Sequence, residues 1–248
     1  VIAEQTLTVR LPASVVAKLR RAAALTYRSG DDIVATTMDA ALVEPPSAPA
    51  DVAAEFAAMH LLSDQALFAA TQPSLSPAKL SRLRQLNHAA GERSLTEAEA
   101  AEQAALLEDY HLSVLRRAQA LAILAQRGHE IPNRTSLEGE IDHINPRAKG
   151  GTGRSDNLCL AYTACNGYKQ AKTTGLDPET GRTVALFHPR QQRWGEHFTW
   201  SDDGTQILGL SSTGRATVEA LRLNHPLAVA ARAVWVRAGC HPPARTEV

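Results

Sequence analysis

The stretch EIDHINPRAKGGTGRSDNLCLAYTACNGYKQAK, residues 140–172, decides how this chain is read. It is too rich in glycine and polar side chains to be hydrophobic core. Residues 139–144 read as a short strand in which Ile141 alternates with Glu140 and Asp142. Pro146 stops the ladder, because proline has no amide hydrogen to donate. Gly150, Gly151 and Gly153 follow, where the backbone can turn tightly and approach another segment closely. A second apolar run at 157–160 leads into 163–172, where Thr163 is placed to cap a helix. Three- and four-residue spacing puts Asn166, Lys169 and Gln170 on one face of that helix. The spacing therefore predicts strand, glycine loop, strand and helix.

That order brings Asp142 and His143, at the end of the first strand, against Asn166 on the helix. Asp142 and Asn166 offer hard oxygen ligands, which suit a divalent cation such as Mg²⁺ that keeps most of its waters. His143 titrates near neutral pH and can take a proton from an attacking water. Asn157 can hold that ring by a hydrogen bond, and Lys169 can neutralise phosphate charge. The set fits metal-assisted hydrolysis of a phosphodiester.

The run Asp142-His143-Ile144, Pro146, Gly150-Gly151, Asn157-Leu158, Leu160, Cys165-Asn166 and Lys169 resembles the HNH endonucleases and their ββα-metal motif. The resemblance implies His143 as general base, Asn157 as the middle residue that orients it, and Asn166 in the third place. Asp142 and Asn166 would then hold one metal ion beside the scissile phosphate, Mg²⁺ first and Mn²⁺ as the alternative. Many relatives carry two Cys-x-x-Cys knuckles. Here Tyr162 stands where the first cysteine of the second knuckle would fall, and no cysteine precedes Cys159. A tetrahedral thiolate site needs about four ligands, so no structural zinc is expected.

The chain has 248 residues with 26 Lys+Arg against 26 Asp+Glu, 44% hydrophobic residues and 4% aromatic ones. That length suits two or three small units, and the composition suits an Ala- and Leu-rich helical majority. Cys159, Cys165 and Cys240 have no paired spacing, which argues against a disulfide framework and for a reducing cytoplasm. With no signal-peptide core and no apolar run of about 18 residues, the chain is expected neither to enter nor to cross a membrane. The zero net charge hides an asymmetry. Residues 1–132 carry 12 basic against 15 acidic side chains, and residues 133–248 carry 14 against 11. Around the motif, Arg147, Lys149, Lys169, Lys172, Arg190 and Arg193 form a candidate surface for a phosphate backbone. The same count also fits an ordinary solvated surface.

Upstream, residues 5–11 alternate Leu7, Val9 and Leu11 with Thr6, Thr8 and Arg10, and two helices follow at 14–27 and 31–42, the second capped by Asp31. A strand followed by two helices resembles a ribbon-helix-helix unit. The resemblance implies a homodimer through the N-terminal strand, with Thr6, Thr8 and Arg10 facing DNA bases. The segment also fits plain dimerisation, or packing on neighbouring helices.

VEPPSAPAD at 43–51 is a linker by composition. Helices are expected at 52–71 and at 77–90, the latter opened by Ser76-Pro77 and closed by Gly91. Thr96 and Glu99 form a capping box for a helical stretch to Arg127, with a break near His111. These helices carry no convergent catalytic groups and read as a spacer or partner-binding bundle. His60, His88, His111 and His129 read as surface or packing residues.

After the motif, a turn at 177–181, a strand at 184–187 and a hairpin turned by Asp203-Gly204 precede two helices at 214–223 and 226–238. Trp194, Phe198 and Trp200 read as the small core of the hairpin, Arg190 and Arg193 as contacts. Residues 177–243, including Gly214-Arg215-Ala216-Thr217 and His241-Pro242-Pro243, resemble the C-terminal extension of one bacterial group of HNH proteins.

The fold class expected is α+β, divided into 1–43, a linker at 44–51, a helical region at 52–128, a nuclease core at 129–175 and an extension at 176–248. The function expected is a metal-dependent HNH endonuclease acting on DNA. The alternative is a DNA-binding regulator or adaptor with a catalytically silent HNH module, and RNA is a third substrate option.

Overall fold

The computed structural model describes residues 8–26, 28–41, 50–72, 75–130 and 139–242. The chain divides into two compact units, Val1–Glu44 and Pro45–Val248.

In the first unit, α1 (Ala13–Thr26) and α2 (Gly30–Ala41) form a helical pair. Ser29, rather than Asp31, caps α2, its hydroxyl accepting from the Asp32 amide at 3.0 Å. Asp31 and Asp32 instead lie in the first turn, where their charge suits the helix dipole. Residues 8–12 are exposed and irregular, and Thr6 lies outside the described residues. A lone extended segment cannot satisfy its own ladder, so a strand at this place requires a partner.

The second unit begins with α3 (Ala50–Met59) and α4 (Asp64–Ala70), where one continuous helix was expected. Ser63 accounts for the break: its hydroxyl accepts from the Ala66 amide and restarts the helix. The linker expected at 44–51 falls largely outside the described residues. Helix α5 (Pro77–Glu92) opens at Ser76 with Pro77 in its first turn and runs through Gly91 to Glu92. Helix α6 (Glu97–Gln126) carries the full Thr96/Glu99 capping box and is unbroken at His111. His111 is buried on the helix, and its ring stacks on His225 at 4.2 Å between centroids.

Strand β1 (Gly139–His143) pairs antiparallel with β2 (Leu158–Tyr162), Asp142 opposite Cys159 and His143 opposite Leu158. Helix α7 (Thr163–Lys169) follows directly. Thr163 is buried in its first turn and gives no cap, the capping position being Tyr162. Two further hairpins are present among the described residues, β3 (Thr174–Leu176) with β4 (Thr183–Ala185), and β5 (Phe198–Trp200) with β6 (Ile207–Gly209). A single turn, α8 (Trp194–His197), leads into β5. Helices α9 (Ser212–Ala220) and α10 (Pro226–Arg237) close the described chain. The architecture is α+β.

One hydrophobic core joins regions that the sequence separates. Phe56, Leu67, Leu83, Leu115 and Leu124 of α3 to α6 share it with Ala164 of α7 and with Ala230, Ala231 and Val234 of α10. Small alanines on α10 let it lie close against α6, so the C-terminal extension is fastened to the helical region. Among the described residues, no helix is long and apolar enough to cross a membrane.

Candidate metal centre and nuclease site

Strand β1 presents its acids inward. Glu140 and Asp142 share a face because side chains alternate along a strand. Asp142 is 8% exposed whereas Ile141 between them is 65% exposed, so the one apolar side chain of the run is the one turned outward. Helix α7 brings Asn166, 9% exposed, to the same side. Asp142, His143 and Asn166 line a single cleft of about 320 Å³, together with Glu140, Arg84, Arg147 and Gln170. The three residues that sequence spacing brought together are thus neighbours in space.

Asp142 also lines a second cleft, of about 850 Å³, which Lys169, Cys165, Phe187 and Trp194 border. Lys169 reaches it from that side, its Nζ 3.2 Å from Asp142 Oδ1 and 3.1 Å from Oδ2. The same ammonium donates to the His143 carbonyl at 2.7 Å. Burial pushes the Asp142 carboxyl up, and the Lys169 charge opposes that rise. Lys169 is therefore turned inward as the counter-charge of Asp142, where the sequence reading set it on phosphate. A carboxylate offers about four acceptor sites, so the oxygens of Asp142 keep capacity on the side of the first cleft.

Arg147 Nε lies 3.4 Å from His143 Nε2, a long contact at the edge of hydrogen-bond range. Asn157 acts on the loop and not on the ring of His143. Its Oδ1 accepts from the Asn145 amide at 2.8 Å, and its Nδ2 donates to the carbonyls of Asn145 at 3.0 Å and Thr152 at 2.7 Å. These three bonds tie the chain after His143 to the chain before β2. Glycine is required inside that loop: Gly150 has φ of +81°, and a Cβ on Gly151 would collide with the Asn145 carbonyl.

Of the remaining basic residues expected from the sequence, Lys172 lines the second cleft, and Lys149, Arg190 and Arg193 line neither cleft. Lys149 donates to Thr173 Oγ1 at 3.0 Å, Arg190 to the Leu158 carbonyl at 2.6 Å, and Lys172 to the Tyr168 carbonyl at 2.7 Å. All three are exposed, as are Arg147 and Arg193. Thr8 and Arg10 are exposed within the separate N-terminal unit. Of the hairpin aromatics, Phe198 is buried, edge-on to Phe187 and tilted against Trp194, whereas Trp194 remains 42% exposed at the second cleft. His129 pairs with Asp64 at 2.8 Å and packs edge-on against Phe68, a structural role.

Cys159, Cys165 and Cys240 are free thiols, and burial pushes Cys165 up to about 11. Among the described residues no group of three or more His, Cys, Asp or Glu side chains is arranged to hold a metal ion. One carboxylate and one carboxamide at an open cleft still suit Mg²⁺, which is held by few protein ligands and retains several waters.

The sequence reading gave Glu140 no role, nor Arg84, Asn87 or Gln103 of the helical region. Glu140 had one visible signal, its position two residues before Asp142 on a strand. The others come from helices more than 30 residues upstream of the motif in sequence, and nothing local marks them.

Residues 130–172 match the family model of the HNH endonucleases. The match covers the β1–β2–α7 unit and well under half of the chain. No curated protein and no solved structure matched. The HNH motif thus coincides with the cleft that collects Asp142, His143 and Asn166.

Proposed function

We infer that the chain is a metal-dependent HNH endonuclease that hydrolyses phosphodiester bonds in DNA. The observation that carries this reading is the convergence of Asp142, His143 and Asn166 on one open cleft inside the matched HNH residues. Asp142 and Asn166 would hold the divalent ion, Mg²⁺ or Mn²⁺. When bound, that ion supplies charge stabilisation to the phosphate and the leaving oxygen. His143 takes the proton from the attacking water, a task for which an unprotonated ring is needed. Lys169 fixes the His143 backbone, and Asn157 fixes the loop that follows it, so the imidazole is held in place by two anchors. Arg147 at the mouth, with Lys149, Lys172, Arg190 and Arg193, supplies positive charge for the sugar-phosphate backbone.

The test is plasmid cleavage by the purified chain with Mg²⁺ or Mn²⁺ and with EDTA, beside His143→Ala. Metal-dependent cleavage that His143→Ala abolishes while DNA binding persists is the expected result. Unchanged cleavage by His143→Ala would contradict it. Matched DNA and RNA substrates in the same assay separate the two nucleic acids.

A second reading is favoured by the Lys169–Asp142 pair: a DNA-binding regulator whose HNH module is silent because its acid is already neutralised. It requires that added Mn²⁺ leave the protein's stability unchanged. The N-terminal unit exposes Val9, Leu11, Val15, Val34 and Met38, which fits a ribbon-helix-helix-like pairing of two copies with Thr6, Thr8 and Arg10 on DNA. Light scattering on the full chain reads that directly, a monomer mass counting against it.

A further inference from the structure

Glu140 is the hub of a buried polar chain that crosses from the helical region into the site. Its side chain is 9% exposed. Oε2 accepts from Asn166 Nδ2 at 2.8 Å and from Asn87 Nδ2 at 3.3 Å. Asn87, itself 2% exposed on α5, also donates to the Thr163 carbonyl at 3.1 Å, and its Oδ1 accepts from Gln103 Nε2 of α6 at 2.9 Å. Gln103 Oε1 in turn accepts from Gln170 Nε2 at 3.1 Å. Gln170 ends α7 at φ of +51°, an uncommon conformation for a residue with a side chain.

Two acceptor-only groups set the bond directions in this chain: the Thr163 carbonyl, which fixes Asn87, and the Glu140 carboxylate, which fixes Asn166. A carboxylate only accepts, whereas a carboxamide can turn either its oxygen or its nitrogen toward a neighbour. With Glu140 ionised, Asn166 and Asn87 must both offer nitrogen to it, and the oxygen of Asn87 then faces Gln103. The nitrogen of Asn166 is fixed on Glu140, so its oxygen is the end left for a ligand in the cleft that both residues line. A cation binds that oxygen and is repelled by an NH₂ group in the same place. Glu140 Oε1 has no hydrogen-bond partner among the described residues, and Arg84 Nε lies 3.5 Å from it.

We propose that Glu140 is a positioning residue for the HNH site, orienting the Asn166 carboxamide so that Oδ1 faces the metal, with Asn87 and Gln103 of the helical region holding Glu140 in turn. This deepens the nuclease reading and rests on it. It also makes α5 and α6 part of the site's support, where the sequence suggested a spacer.

The test uses the full chain and Mn²⁺ binding followed by electron paramagnetic resonance, without DNA, beside plasmid cleavage. Glu140→Gln keeps the shape but can donate as well as accept, so Asn166 is free to turn its nitrogen to the cleft. Mn²⁺ affinity should fall about 10- to 100-fold, the usual effect of losing a group that orients a metal ligand. Adding Asn166→Asp to Glu140→Gln should restore affinity to within a few-fold, because a carboxylate presents oxygen whichever way it turns. A purely structural role for Glu140 gives no such rescue. In the unsubstituted protein, the side-chain amide protons of Asn166 should exchange with solvent far more slowly than those of an exposed asparagine. Equal Mn²⁺ affinity in the parent and Glu140→Gln, a loss that Asn166→Asp does not relieve, or free exchange at Asn166 would each overturn the proposal. If the parent protein itself neither binds Mn²⁺ nor cuts DNA, the nuclease reading fails; if the parent does both and the variants do not follow the pattern, the orienting role alone fails.

Discussion

Replacing Lys169 with methionine isolates the electrostatics of the site. The methionine keeps most of the aliphatic stem and removes the ammonium, leaving Asp142 buried without its counter-charge. The side chains of Lys169 and Asp142 are 12% and 10% exposed, so solvent screens the pair little. Removing one partner of a buried pair costs about 3–5 kcal/mol. Burial already pushes the Asp142 carboxyl up and Lys169 is its largest counterweight, so removing the ammonium pushes it further up, and the lower end of that range, about 3 kcal/mol, is the expected cost. For a unit of this size each kcal/mol moves the melting temperature by about 2–4 °C, giving a drop of roughly 6–12 °C by scanning fluorimetry at pH 7. Asp142→Asn with Lys169→Met should recover all but about 1 kcal/mol, because no buried charge is then left alone. Mn²⁺ offers Asp142 a new counter-charge and should raise the melting temperature of Lys169→Met more than that of the parent. A Lys169→Met protein within about 1 kcal/mol of the parent, or a double variant no more stable than the single, would refute the reasoning.

Three further outcomes follow from the same structure. His111 is buried against His225, with Tyr168 and Glu108 close by, and burial holds its pKa down at about 3. The unfolded chain takes up that proton near pH 6.5, so stability is lost as pH falls below that value, by about 2 kcal/mol at pH 5. His111→Phe should show a correspondingly shallower loss of melting temperature between pH 7 and pH 5, and equal slopes would contradict this. Asp177 is fully buried and accepts from Arg215 Nε at 2.7 Å and Nη2 at 2.8 Å, which holds its carboxyl well below the usual range. Its contribution is complete above about pH 4 and disappears as pH falls through the folded value, so Asp177→Asn should be less stable than the parent at pH 7 with a gap that narrows below pH 4. Gly151→Ala forces the loop away from the Asn145 carbonyl, disturbs the Asn157 bonds, and should reduce cleavage at least 10-fold while circular dichroism stays near that of the parent; full activity would show that this loop does not position His143.

Local chemistry made much of the chain legible. The Thr96/Glu99 capping box, Ser76-Pro77 opening α5 and Pro226 opening α10 are signals within four residues, and each marks a helix start in the structure. The order Asp142-His143, Asn157, Asn166 likewise became a strand end, a loop anchor and a helix face, because each short element fixes its own side-chain direction. Errors arose where one local signal outweighed another. Gly91 looked like a stop, yet an interior helix can absorb a glycine when Leu83, Leu86 and Ala90 are packed on its buried face. Thr163 looked like a cap, yet it is fully buried beneath Asn87. The inward Lys169 and the support of Glu140 by Asn87 and Gln103 depend on the packing of α5, α6 and α7, and no spacing within residues 140–172 encodes that contact.

Nuclease activity at this cleft requires that Asp142 and Asn166 share one cation beside His143. Anomalous scattering from a crystal soaked in Mn²⁺ tests it most directly. The expected result is a single strong peak in the cleft, about 2.1 Å from oxygens of Asp142 and Asn166 and absent in Asp142→Ala. A cleft without a peak, or a peak bound elsewhere on the molecule and untouched by Asp142→Ala, would contradict it.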